Sequence, residues 1–175
     1  MKQENHVSTE TAPLTPAHIW REMTAEQRLV AAQALWADQD SVPQQVEAVQ
    51  AIARQLRFRP QSVVTLAPEK RARHLASLHT VSESLASRAL VVYHLTEQRP
   101  MLEAFLDHLG IAHEGGMIAE GSKQVPDESG LREAAAALLA RFPPADIRVY
   151  FRTLAVQDPD TWGALVPIVS ELLSS

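Results

Sequence analysis

Between Thr80 and Gln98 the chain reads as a helix that is apolar almost all the way round. Leu85, Ala86, Ala89, Leu90, Val91, Val92, Tyr93 and Leu95 leave Ser84, Ser87 and Arg88 as its polar side before His94. A helix of that kind must be covered on several faces, which places it inside a bundle and leaves no room beside it for a sheet. The remaining composition agrees. Ala and Leu dominate, and aromatic residues are only 5%, a balance that favours helix over strand. A hydrophobic fraction of 46% over 175 residues is enough for one ordinary core. The expected fold class is all-α: a single-domain bundle of seven to eight helices around a central antiparallel helix pair.

Local signals divide the chain. Residues 1–14 are expected as a disordered tail and 15–175 as one helical domain. Within the domain, N-terminal helices take 15–79, a central hairpin 80–110, a loop 111–130 and C-terminal helices 131–173. Thr24 with Gln27, Ser41 with Gln44, and Thr80 with Glu83 have the spacing of a capping box, which satisfies two otherwise unpaired backbone N–H groups. Pro60, Pro68 and Pro100 sit where first helical turns begin. Gly110 ends the second helix of the hairpin. Gly115, Gly116, Gly121, Pro126 and Gly130 mark the loop, with a short extended piece at Met117–Ile118. Pro143–Pro144 breaks one C-terminal helix and starts the next, and Asp160 caps the last. Trp36, Tyr150, Phe151 and Trp162 lie at helical spacing and read as core. Trp20, in a short segment near the tail, is the aromatic expected at the surface.

Several classes drop out at once. The absence of Cys removes disulfide frameworks and thiolate metal sites. Met1–Pro13 is polar, without the apolar centre of a secretory signal, and the longest apolar run, Ala134–Ala140, is too short to span a bilayer. A cytoplasmic protein with no membrane partner is the expectation. The formal net charge of -5 gives no overall attraction to nucleic acid.

That charge is unevenly placed. Residues 50–79 hold Arg54, Arg57, Arg59, Lys70, Arg71 and Arg73 against Glu69 alone, a net of +5, while the rest of the chain holds ten basic and twenty acidic residues, a net of -10. Gln50–Leu66 has the apolar spacing of a helix-turn-helix: Ile52 and Ala53 in the first helix, Leu56 before the turn, Val63 and Leu66 in the second. In that motif exposed residues of the second helix read bases, here Gln61, Ser62 and Thr65, while arginines hold phosphates. Two features depart from it. Arg57 occupies the turn position usually given to Gly, and Pro68 cuts the second helix short. A short helical corner with a solvated basic face explains the same spacing.

Five of the seven histidines lie between His74 and His113. Imidazole suits metal binding and proton transfer near neutral pH, so His94, Glu97, His108 and His113 form a candidate ligand or metal cluster. No H-E-x-x-H occurs, and the E-x-x-H of di-iron bundles is absent from these positions. Boundary histidines on helix surfaces explain the pattern equally. Gly116–Lys123 spells G-x-x-x-x-G-S-K, near a phosphate-binding loop, but with Lys after the hydroxyl residue and without the strand-loop-helix frame. No G-x-S-x-G frames a serine nucleophile, so no catalytic residue is assigned and no cofactor is expected.

Three functional classes follow. The first is a non-enzymatic helical protein acting through protein–protein contacts, with a homodimer as one form. The second is DNA binding through the degenerate helix-turn-helix. The third is a helical enzyme or ligand-binding protein with a histidine-lined cleft near 94–113.

Overall fold

The structure is a computed structural model that describes residues 13–122 and 124–174. The expected tail therefore lies outside the described residues over 1–12, as does Lys123 of the glycine loop. The chain is all-α, with one two-stranded hairpin. Its order is α1 (Pro16–Glu22), α2 (Ala25–Ala37), a 3-10 turn (Gln39–Ser41), α3 (Val42–Leu56), α4 (Pro60–Val64), α5 (Pro68–Ser77), α6 (Glu83–Glu97), α7 (Arg99–His108), β1 (His113–Glu114), β2 (Met117–Ile118), α8 (Glu128–Leu139), α9 (Pro144–Gln157), α10 (Pro159–Trp162) and α11 (Leu165–Leu172). There are more segments than the seven to eight expected because several are one-turn pieces. The expected last helix is also split at Gly163, with Asp158 rather than Asp160 capping its first part.

The buried side chains form two clusters. One gathers α1 to α6, from Ile19 and Trp20 through Leu35, Ile52 and Leu75 to Leu85, Leu90 and Tyr93. The other gathers α7 to α11, around Phe105, Tyr150, Phe151 and Trp162. Two helices serve both. In α6 Leu85, Ala86, Ala89, Leu90 and Tyr93 pack in the first cluster while Leu95 packs on the second. In α9 Val149 belongs to the first, and Ile147, Tyr150 and Phe151 to the second. A polar tie joins the same elements: Asp146 Oδ1 accepts from Gln27 Nε2 at 2.7 Å and from the Tyr93 hydroxyl at 3.3 Å, and that hydroxyl accepts from Gln98 Nε2 at 2.9 Å. Buried polar groups with partners fix one arrangement of an otherwise slippery helical interface.

The capping signals resolve unevenly. Thr24 and Gln27 make the full reciprocal box. Thr80 does not cap α6; Ser82 does, accepting from Leu85 N–H at 3.1 Å, while Glu83 accepts from the Ala17 N–H at 2.9 Å and ties α6 to α1. Ser41 makes no cap either. It hydrogen-bonds Asp38, and Arg88 of α6 reaches Asp38 Oδ2 at 2.7 Å. Those bonds, first Ser41 and then Arg88, hold the Asp38 carboxyl below its ordinary range. Gly110, in the left-handed region at φ 67, closes α7 as expected, with Ile111 N–H bonded to Leu106 O at 2.9 Å.

Trp20 is the clearest correction. It is 1% exposed, and its indole N–H donates to Leu78 O at 2.7 Å. The segment is short, but Ile19 and Trp20 share the face that α1 turns into the first cluster, and the carbonyl ending α5 satisfies the polar atom, so nothing holds the ring at the surface. Leu14 also packs on this cluster, so the segment expected as tail is ordered structure at its inner end.

Candidate functional site

The basic corner is built by a tight reversal. Arg57 adopts left-handed geometry at φ 54, the one non-glycine residue among those described to do so. Arg57 N–H reaches Arg54 O at 3.4 Å and Phe58 N–H reaches Ala53 O at 2.9 Å, the paired bonds that commonly close a helix on a glycine. The helix-turn-helix comparison puts glycine at this position, and the backbone here has the glycine geometry without the glycine. Arg59 is extended, and Pro60 then opens α4. With Pro68 starting the next helix, α4 has only five residues to set beside the fifteen of α3.

That mismatch leaves the apolar stripe of α3 partly bare. Val49, Ile52 and Ala53 are buried, but Val42 and Val46, on the same stripe, are 56% and 51% exposed, and Val64 of α4 is 55% exposed. Between them runs an open groove of about 550 Å³, walled also by Trp36 and Arg71. The Arg71 guanidinium lies over the Trp36 ring at 4.9 Å, a favourable cation–π placement. Trp36 Nε1 and Arg71 Nε are both buried donors without an acceptor among the described residues. Trp36, read as core, is thus only partly covered, because α4 ends before reaching it.

The residues singled out for nucleic-acid contact fall on this corner. Arg54, Arg57, Arg59, Gln61, Ser62, Thr65, Lys70 and Arg73 are exposed, and Arg71 is half-buried. Gln61 and Thr65 line the groove, and the Thr65 hydroxyl donates to Ser62 O at 3.0 Å. None of the six cations makes an ion pair with a described residue. Elsewhere Arg88 pairs with Asp38, Arg132 with Glu171 and Arg152 with Glu22.

The four members of the histidine cluster are not brought together. His108 and Glu97 are exposed. His113, in β1, sits with Nε2 3.1 Å from Asp107 Oδ1, and its Nδ1 accepts from Gly116 N–H at 3.4 Å. His94 is 3% exposed and turns instead to α9, with Nε2 3.1 Å from Thr153 Oγ1. Among the described residues no three His, Asp or Glu side chains are grouped so as to hold a metal.

Thr153 settles the proton on His94. Its hydroxyl donates to Val149 O at 2.8 Å, so toward His94 it accepts, and Nε2 carries the hydrogen. Nδ1 is then the lone-pair nitrogen, and it is buried without a partner among the described residues. Burial pushes the imidazole down to about 3, so the ring is neutral at physiological pH. Beside it lies a cavity of about 270 Å³ whose walls include His94, Leu102, Tyr150, Thr153 and the tip Gly116–Ile118 of the hairpin. The hairpin turns through Gly115 and Gly116 at φ 57 and 87. A Cβ on Gly116 would stand 2.9 Å from Leu102 Cβ, so only glycine lets the turn lie this close to α7.

No protein-family model, curated protein or solved structure matches this chain.

The site is therefore read from its chemistry alone. Sequence reasoning named the cations, His94 and a histidine-lined cleft near 94–113, but missed the groove; of those histidines His94 alone lines the cavity. The interval from Pro60 to Pro68 was the available signal for the groove: seven residues between two helix-opening prolines cannot cover a neighbour of fifteen. Thr153 and Tyr150 lie more than fifty residues from His94 in sequence, and no local pattern connects them to it.

Proposed function

We propose that this protein is a non-enzymatic binding module whose α3–α5 corner takes an acidic, amphipathic segment of another protein. The observation that carries the reading is an uncovered valine stripe with Arg71 in its wall, next to a chain segment whose six cations have no ion pair with any described residue. Apolar groove floors with polar, charged rims are how amphipathic helices are held. Here Arg71 is the one charged residue in the wall, beside the neutral Gln45, Gln50, Gln61 and Thr65, while Arg54 lies one turn beyond Gln50 on α3 and Arg59 precedes Pro60. A segment with leucine-type residues on one face and carboxylates on its flanks would cover the valines and meet the charges.

Two rival occupants fit less well. A two-fold contact between copies through this face would set like charges against each other, which is costly. Duplex DNA would meet the arginines but leave Val42, Val46 and Val64 against water or phosphate, and an α4 of five residues is shorter than a helix that reads a groove.

The test uses a labelled helical peptide with Leu at i, i+3, i+4 and i+7 and Glu on both flanks, its Lys-flanked counterpart, and mixed-sequence duplex DNA at low salt. Trp36 emission reports the groove directly. The expected result is saturable binding of the Glu peptide alone, at least tenfold weakened by Val46→Asp. Retention of DNA without the peptide would hand the corner to the second functional class, and indifference to all three probes would end the proposal.

A further inference from the structure

The cavity beside His94 has a different character. No Asp, Glu, Lys or Arg lines it; its walls are chiefly Val91, Leu95, Leu102 and Leu154, with the hairpin tip across one side. A charged ligand would find no counter-charge there, and desolvating it would oppose entry. The polar side chains in the wall divide by what they have left to offer. Gln157 is exposed at the mouth. His94 Nε2 and the Thr153 hydroxyl bond to each other, and Thr153 also donates to Val149 O.

Tyr150 is the exception. The residue is 3% exposed, and its hydroxyl is pushed up by burial alone, with no hydrogen bond contributing. It therefore keeps its proton and has no acceptor for it. Among the described residues the unpartnered side-chain atoms cut off from solvent are Trp36 Nε1, Arg71 Nε and His94 Nδ1. The Tyr150 hydroxyl is outside that set, so its oxygen keeps a small open surface, and the cavity is the depression whose wall Tyr150 forms. The ring is held by Phe105, edge-on at 5.7 Å, and by His94 at 5.4 Å between centroids. A hydroxyl fixed in advance loses little freedom when an acceptor arrives, and a buried donor without an acceptor is unfavourable. The volume of about 270 Å³ lies just under the range of about 300–1,000 Å³ usual for small-molecule sites.

We infer that the cavity between α6, α7, α9 and the β-hairpin binds a small, neutral, mainly hydrocarbon molecule with one carbonyl oxygen, which accepts a hydrogen bond from the Tyr150 hydroxyl. The uncharged lining selects against ions, and the free hydroxyl selects for the oxygen. The occupant differs in class from the acidic protein segment, and the inference does not rest on that reading.

Acetophenone and 2-phenylpropene test it, because they match in shape and differ by an oxygen against a methylene. Affinity is read from the methyl resonances of Leu102 and Leu154 in the intact protein, and the acceptor from the carbonyl stretch of bound acetophenone. Acetophenone is expected to bind saturably with its stretch lowered from the value in hydrocarbon solvent, and 2-phenylpropene about fivefold more weakly. Tyr150→Phe keeps the ring and removes the oxygen; it should bring the two probes to equal affinity and restore the stretch. Val91→Trp, at the half-buried edge of the cavity, should abolish both. If Tyr150→Phe fails to fold, the stretch and the Val91→Trp result decide. Equal affinity of the two probes for the unaltered protein would overturn the inference, as would failure of both to bind, an unmoved stretch, or a preference for acetophenone that survives Tyr150→Phe.

Discussion

Two depressions in one small protein differ in how they treat charge. The groove on α3–α5 is open, and of the six cations of its segment five are exposed while Arg71 lies half-buried over Trp36. The cavity at α6–α9 is the more recessed of the two, and the imidazole beside it has been driven to the neutral form by burial. Both have apolar walls, so hydrophobicity does not tell them apart. Exposure does: a charge persists where water solvates it, and a buried group gives the charge up when no partner compensates. The open site therefore suits a large acidic partner that brings its own counter-charges, whereas the walls beside His94 offer a charge no compensation.

The contrast presumes one cooperative body, because α6 and α9 bury side chains in both clusters. Phe105 tests that presumption most severely. It is fully buried, with ring contacts to Tyr150, Phe151 and Trp162 at 5.7, 5.0 and 5.9 Å. Phe105→Ala should lower stability by about 3–5 kcal/mol. Urea transitions of two single-tryptophan variants, one keeping Trp36 and one Trp162, should both move and stay coincident. A shift confined to Trp162 would mean that groove and cavity belong to independent units.

Acid separates the two regions next. Free histidine titrates near 6.5 and His94 near 3, so between those values the unfolded chain binds one more proton than the folded one. Stability then falls as pH drops, by about 1.4 kcal/mol per unit for one such group. Above 6.5 the group contributes no slope, and below 3 the loss is complete. From pH 6.5 to 5 the unaltered protein should lose about 2 kcal/mol more than His94→Leu does. Chemical denaturation at the two pH values measures this, and equal losses would mean that the ring is solvated and the cavity misread.

Salt should act on the other region alone. Raising NaCl from about 50 to 500 mM shortens the screening length several-fold, and a few exposed ion pairs at about 0.2–1 kcal/mol each amount to roughly tenfold in affinity for the Glu-flanked peptide. Fluorescence titrations at both salts check it. A peptide affinity blind to salt would leave only the valines as the basis of binding and remove the contrast.

What was legible beforehand followed the range of each interaction. The largely apolar surface of Leu85–Leu95, the Thr24–Gln27 box and the Gly110 stop depend on neighbours within a turn or two, and each stands as read. The failures involve distant partners. Thr80 and Ser82 are both plausible caps, and the choice fell to Ser82, which also bonds Glu47 of α3. Trp20 was judged by its position near the tail, whereas Leu78 O, 58 residues on, decides its burial. Among the site residues, cations were visible because charge is a local property. That His94 would turn to Thr153 rather than to His108 or His113 depended on how α9 docks, which no spacing within 94–113 encodes.

Arg57 gives the smallest effect and the sharpest view of the basic corner. A non-glycine residue in left-handed geometry carries roughly 1 kcal/mol of backbone strain, and its side chain here makes no bond to a described residue that would offset it. Arg57→Gly should therefore stabilise the fold by about 1 kcal/mol, seen as a raised denaturation midpoint. The same change removes one cation from the corner and should weaken the Glu-flanked peptide about two- to threefold, the value of one exposed pair. Opposite signs in stability and affinity are what a strained position kept for its charge would give. A stabilised protein with unaltered affinity would place Arg57 outside the binding rim. A destabilised one would mean that the arginine side chain itself holds the turn, and the corner would then be a structural joint whose charge is incidental.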